Sequence, residues 1–331
     1  MKALVYDKAN ALDHFALELR DVGEPAVRDQ DLLIEVKAVG VNPGEAFIRS
    51  VQNPPPGGRV LLGWEFAGVV AAVGPQAPGF AVGDRVFGTG DMTRDGAWAE
   101  RVAVDHRIVA KIPDGLSFVD AASLAIGSVT ATEALFRDEE NLPTGIERVL
   151  IVGGAGAVGS LATQILKAKT SAFVIATASR PDSRAWSEKM GADLVVDHSA
   201  DVPTQLKQAG VESVDLVLSL ASTTANMPWY ATVLRPFGHL SVVDGGQSLD
   251  IAPLAAKAAS VHLEMVFSRI LFGRQPERQG RILADIARLA VAGKIKPIVN
   301  THLHGLSVET MRTAHTQLES HRTVGKVVIE Y

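Results

Sequence analysis

The chain has 331 residues, 47% of them hydrophobic and 21% charged, with a formal net charge of −5. That length exceeds what one core usually supports, so two domains are expected, and the acidic balance argues against a general nucleic-acid binder, which would show a basic face. Cysteine is absent, which excludes disulfides, thiolate nucleophiles and thiolate-held zinc or iron–sulfur centres and suits a reducing cytoplasm.

No apolar run reaches the roughly 18 residues of a bilayer span, and MKALVYDKAN does not read as a signal peptide. From residue 1 to about 120 the chain is rich in β-branched runs broken by Gly and Pro: LLIEVKAVGVNP (32–43), FAGVVAAVG (66–74), GDRVFG (83–88) and AERVAVD (99–105). Short strands with turn signals at this spacing predict a Greek-key or barrel-like all-β unit. QNPPPGG (52–58) is a loop, because serial prolines block both helix and ladder bonding.

From about 121 to 268 the rhythm becomes strand, helix, strand. ERVLIVGG (147–154) leads into a helical AVGSLATQILKAK (157–169). AFVIATAS (172–179), DLVVD (193–197), VDLVLSL (214–220) and GHLSVV (238–243) follow, each separated by a helical stretch. Such steps predict a parallel, doubly wound sheet covered on both faces. The tail holds amphipathic helices at 281–294 and 308–320 and a final strand, GKVVIEY, expected to return to the first domain.

The sharpest motif is IVGGAGAVGS (151–160), where Gly154, Gly156 and Gly159 fit G-x-G-x-x-G between a strand and a helix. In such a loop one glycine allows the turn, one lets backbone N–H groups of the Gly156-Ala157-Val158 segment reach a pyrophosphate, and one allows close helix packing. An NAD site carries Asp or Glu about 20 residues on. Here Ser179 and Arg180 stand at that place, a hydroxyl and a guanidinium suited to a 2′-phosphate, so NADPH is the expected cofactor. Asp182 lies close by, and Arg180 as a solvated loop cation is the plainer alternative.

With VGVNP (39–43), GWEFAGVVAAVG (63–74), GDRVFG (83–88), ASLAIGSVTATEAL (122–135), IVGGAGAVG, ATASRP (176–181), VVDHS (195–199) and GKVVIE, nearly the whole chain resembles the medium-chain dehydrogenase/reductase superfamily. Within it the chain is most similar to the quinone-oxidoreductase-like, zinc-type alcohol dehydrogenase-like branch. The resemblance implies an α/β architecture: a GroES-like β-rich domain (1–121 and 295–331), a Rossmann domain with a doubly wound parallel sheet (122–294), an active site in the cleft between them, and a homodimer through the last Rossmann strands. It also implies further cofactor contacts at His198, Asp244 and Gly245, and, more weakly, at Phe267 and Lys326. His198 serves equally well as a loop residue.

Among catalytic candidates the resemblance places Asn42 and Thr130 facing the nicotinamide. Asn42 offers an amide donor to a developing oxyanion, or is simply an Asn-Pro turn. Thr130 is otherwise a helix-start cap. Arg49 shapes the substrate mouth or forms a surface salt bridge, and Gly44-Glu45, replacing the Val-Asp common in relatives, bears on substrate preference.

In zinc-dependent relatives the place of Gly63-Trp64-Glu65 reads Gly-His-Glu, and its histidine binds the metal. Here that histidine is Trp64, and the two ligand cysteines are missing. A catalytic zinc normally needs three protein ligands, so no metal is expected. His302 and His304 share a face if HLH is a strand, but two ligands without a third make no site. The resemblance then implies a metal-free reductase of quinones or α,β-unsaturated carbonyls, against a zinc alcohol dehydrogenase or a non-catalytic NADPH-binding protein. Glu65, in so apolar a run, is expected to pair with Arg49, Arg59 or Arg85, or to stay protonated.

Overall fold

The computed structural model describes residues 1–244 and 248–331. By packing, the chain divides into two units: Met1–Ile126 with Phe267–Gly293 and Pro297–Tyr331, and Gly127–Val266 with Lys294–Lys296.

The first unit opens with a hairpin of β1 (Lys2–Val5) and β2 (Glu18–Asp21). Next come β3 (Asp31–Val41), α1 (Pro43–Val51), β4 (Glu65–Val73), β5 (Arg85–Thr89), β6 (Arg101–Asp105), β7 (Val109–Lys111) and α2 (Phe118–Ala122). The eleven-residue β3 organises the sheet. Its first half pairs with β6 and its second half with β15, and it runs antiparallel to β4 for most of its length, so three strands of the sheet meet on it. Ile34, Val39, Phe66, Val86, Trp98 and Val102 fill the unit's interior.

The second unit begins in α3 (Ala125–Phe136) and continues as β8 (Arg148–Val152), α4 (Ala157–Lys169), β9 (Phe173–Thr177), α5 (Pro181–Lys189) and β10 (Leu194–Val196). Then follow α6 (Val202–Gln208), β11 (Val214–Ser219), α7 (Thr223–Val233), β12 (Leu234–Val242), α8 (Ala252–Ala255) and β13 (Ser260–Leu263). The six strands are all parallel, in the order β10-β9-β8-β11-β12-β13. Strand order reverses between β8 and β11, and ligands bind outside the carboxyl ends of strands at such a switch point.

The chain then returns to the first unit through α9 (Ser268–Leu271), α10 (Glu277–Val291), β14 (Val299–His304), α11 (Val308–Glu319) and β15 (Lys326–Glu330). β15 pairs antiparallel with the end of β3, and β14 lies parallel to β15 at the sheet edge. The seam therefore differs from the expected one at 294/295, because Phe267–Gly293 group with the β-rich unit. Gly280 explains how α10 lies there: a Cβ at this position would meet Arg107 O at 2.6 Å, so only glycine lets the helix so close.

The stretch Phe118–Phe136 does, after all, have the length and composition of a membrane span, but most of it is buried inside the protein. Ser128, Thr130, Thr132 and Glu133 are buried in it.

Candidate active site

The run LLGWEFAGVV resolves into a polar knot inside the first unit. Glu65 opens β4 and is fully buried. Its Oε1 accepts the backbone N–H of Ile126 at 2.7 Å, and its Oε2 accepts Asn42 Nδ2 at 3.1 Å. The same Oε2 pairs with the ammonium of Lys326, itself only 2% exposed. Lys326 Nζ also donates to Asn42 Oδ1 at 2.5 Å. Every side chain in this triangle thus has its polar atoms engaged, the condition for burying charge at tolerable cost.

Gly40 gives the knot its room. A Cβ there would stand 2.5 Å from Glu65 Oε2 and 2.7 Å from Lys326 Cε.

A second buried carboxyl sits beside the first. Glu45 lies in the first turn of α1, where its Oε2 accepts the N–H of the N-cap residue Asn42 at 2.8 Å and its Oε1 that of Trp64 at 2.7 Å. Burial pushes its carboxyl up to about 7. Trp64 is buried and packs edge-on against Phe267, ring centroids 5.2 Å apart. Its indole Nε1 has no hydrogen-bond partner.

The glycine loop in the second unit follows its own logic. The left-handed turn falls on Gly153, with φ of 89°, one residue before the motif. Thr177 fastens the loop to the end of β9: its hydroxyl accepts the N–H of Gly153 and its carbonyl that of Gly154. A Cβ on Gly154 would strike Ala176 Cβ at 2.6 Å, and one on Gly159 would strike Gly153 O at 2.4 Å. Gly156 has open space, its nearest neighbour being Gly153 O at 3.6 Å. It caps α4 without any side-chain cap, so the first-turn N–H groups of Ala157, Val158 and Gly159 keep their donors for a ligand. A dinucleotide's pyrophosphate fits this cradle.

At the neighbouring strand ends, Ser179 and Arg180 follow β9 and His198 follows β10, with β9 and β10 paired in register. Arg180 caps α5 and its Nε lies 3.3 Å from Asp182 Oδ1. Arg184, which sequence reasoning missed, donates to the carbonyls of Ala178 and Val195 and so adds a second guanidinium at these ends. Asp244, after β12, accepts the N–H of Thr223 at 3.0 Å and is tied to the start of α7. Gly245 lies outside the described residues.

The sequence matches the alcohol dehydrogenase GroES-like domain over residues 28–114 and the zinc-binding dehydrogenase domain over residues 190–329. A zinc-type alcohol dehydrogenase-like protein of Staphylococcus aureus is 33% identical over 337 aligned positions, 99% of each chain. The chain belongs to the medium-chain dehydrogenase/reductase superfamily. It is an oxidoreductase of that superfamily. Among solved members, a Rhizobium etli protein described provisionally as a zinc-dependent alcohol dehydrogenase superimposes with a TM-score of 0.95 at 36% identity, covering 100% of this chain and 98% of that one. The quinone oxidoreductase of Pseudomonas syringae pv. tomato superimposes with a TM-score of 0.83 at 26% identity, covering 100% and 99%.

Against this medium-chain reductase frame several sequence expectations need correction. Glu65 pairs with Lys326, not with Arg49, Arg59 or Arg85; Arg59 binds Asp95 and Arg85 donates to Leu116 O. Lys326 accordingly belongs to this knot of the β-rich unit, where its ammonium is spent on Glu65 and Asn42. Arg49 is neither at a substrate mouth nor on the surface. It is fully buried, bonded to His315, Asn10 and Glu319 and stacked over Phe15. The Asn42 amide donates to Glu65 and Gly40 O, so both donors are committed and it is the N-cap of α1 with Pro43 at the first position. Thr130 sits in the middle of α3, which removes its reading as a helix-start cap. Glu45 is buried under Trp64 and cannot face a substrate. Glu330 supplies the third group beside His302 and His304 that the sequence did not reveal.

The Glu65–Lys326 pair predicts a large coupling. Lys326→Met leaves a buried carboxylate unpaired and should cost about 3–5 kcal/mol in urea unfolding. Adding Glu65→Gln should recover part of that loss. Strict additivity of the two single losses would mean the pair carries no coupling.

Glu45 predicts a pH dependence. Its folded-state pKa is raised by burial from 4.5 to about 7, so across that interval the native chain holds a proton the unfolded chain has released. That stabilisation is complete below the lower value and is lost as pH rises through the upper one, about 3 kcal/mol in all. Buried His315, depressed to about 3, acts with the opposite sign, losing stability as pH falls. The difference between wild type and Glu45→Gln should therefore change steeply from pH 4.5 to 7, and a flat difference would assign the dependence elsewhere.

Proposed function

We propose that this protein is a zinc-independent, NADPH-dependent reductase of quinones or α,β-unsaturated carbonyls. The observation that carries the reading is the state of the Trp64-Glu65 position. A buried indole that cannot ligate zinc stands there, and the adjoining carboxylate is already held by Lys326, Asn42 and the Ile126 N–H. In the zinc-dependent members a metal stabilises the alkoxide as a Lewis acid, a role the residues at this position do not fill, whereas a conjugated acceptor spreads incoming charge over several atoms. The similarity to a quinone oxidoreductase over the whole chain supports the same choice.

When bound, NADPH supplies a hydride to a conjugated carbon of the acceptor. The chain's own residues bind and orient. The open N–H groups of Ala157, Val158 and Gly159 neutralise the pyrophosphate. Ser179 and Arg180, with Arg184 nearby, present a hydroxyl and guanidinium charge to the 2′-phosphate. With the Asn42 donors committed, the carbonyl oxygen takes its proton from water. Quinone or enone, NADPH and one proton thus give hydroquinone or saturated ketone and NADP+.

The test is NADPH oxidation against a panel of quinones, enones and aldehydes, run in parallel with NADH. Turnover should appear with quinones or enones and favour NADPH. Arg180→Asp should lose roughly tenfold to a hundredfold of that preference, as expected for a hydrogen bond to a charged group. A wild-type preference for NADH would overturn the cofactor assignment. Absence of turnover with every acceptor would overturn the enzymatic one in favour of nucleotide binding alone.

A further inference from the structure

β14 is the edge strand of the first unit's sheet, and its exposure alternates residue by residue. His302 and His304, two apart, therefore stand on the same solvent-facing side. The parallel register pairs His304 with Glu330 on β15, which brings a carboxylate onto that side as well. His302 Nε2 lies 3.0 Å from Glu330 Oε2, and His304 Nδ1 lies 3.5 Å from the same oxygen. The two rings are 4.3 Å apart between centroids. All three donor atoms fall within 4.8 Å of one another.

We propose that His302, His304 and Glu330 form a divalent-cation site of the zinc class, separate from the Trp64 position. The geometry is quantitative. A tetrahedral zinc ion with bonds of about 2.0–2.2 Å to nitrogen and oxygen holds its ligands roughly 3.3 Å apart. The two separations from the imidazole nitrogens to Glu330 Oε2, 3.0 and 3.5 Å, straddle that spacing. Two imidazoles and one carboxylate suit zinc and its transition-metal neighbours, whereas magnesium and calcium select oxygen-only sets. The three side chains keep 37%, 71% and 43% exposure, so the fourth position opens to water.

The site joins β14 to β15, and β15 begins at Lys326. A bound ion would clamp the edge strand onto the strand that carries the buried ammonium. It would also give the purified protein a zinc count of one without any zinc beside Trp64, so metal content alone does not report on the reaction.

Titration of chelator-treated protein with zinc chloride tests this. The expected result is one Zn2+ per chain with a Kd of roughly 10 µM or tighter, and a higher melting temperature on binding. His302→Ala, His304→Ala and Glu330→Ala should each weaken binding at least about tenfold. These side chains are exposed, so the variants should keep the wild-type circular dichroism. A Kd weaker than that limit would overturn the proposal, leaving an adventitious ion only. Unchanged affinity in the His302→Ala/His304→Ala variant would overturn it equally, by placing the metal elsewhere.

Discussion

A single buried ion pair, Glu65 with Lys326, fixes the centre of the β-rich unit. It joins the first residue of β4 to the first residue of β15, and through Asn42 and the Ile126 N–H it also holds the starts of α1 and α3. Removing charges from water is costly, and the arrangement is tolerable only because both carboxylate oxygens and the ammonium are engaged, Oε1 by the Ile126 N–H and Oε2 by Asn42 and Lys326. The constraint reaches outward. Residue 40 must be glycine to leave room for the pair, and the last strand must add to β3 in the register that places Lys326 beside it.

Around that pair the polar side chains bond to one another or to the backbone of the turn. Trp64 fills with an apolar ring the place where zinc-dependent relatives are expected to hold histidine, and Phe267 makes a T-shaped ring contact with it. Glu45 anchors the backbone of the same turn through the Trp64 N–H. Two adjacent buried carboxyls are thereby separated in role, one ion-paired and one lifted toward neutrality by burial. At the Trp64 position the side chains described are an indole, two carboxyls, an amide and an ammonium, each of the last four already bonded within the protein.

What was legible in the sequence was local. The glycine loop could be read because its spacing lies between a strand and a helix, and the alternation of strands and helices pointed to a parallel sheet, whose strand order only the pairing shows. Trp64 and Glu65 stood out as an oddity within an apolar run. The partners did not. Lys326 lies 284 residues from Asn42, and only the pairing of β15 with β3 brings them together. Arg49 read as a mouth or surface cation because His315 and Glu319 come from α11, far along the chain. Glu330 joins His302 and His304 only through the parallel register of β14 and β15, which no motif encodes. The domain seam was misplaced because the amphipathic pattern of α10 names a buried face without naming the unit that buries it.

The central claim is that reduction proceeds without a metal at the Trp64 position. Its most direct test is NADPH-dependent turnover by the His302→Ala/His304→Ala variant after exhaustive chelation, with zinc content measured on the same sample. The account predicts undiminished turnover at negligible zinc and no change when zinc is added back. Turnover that falls with the zinc and returns with it would contradict the account.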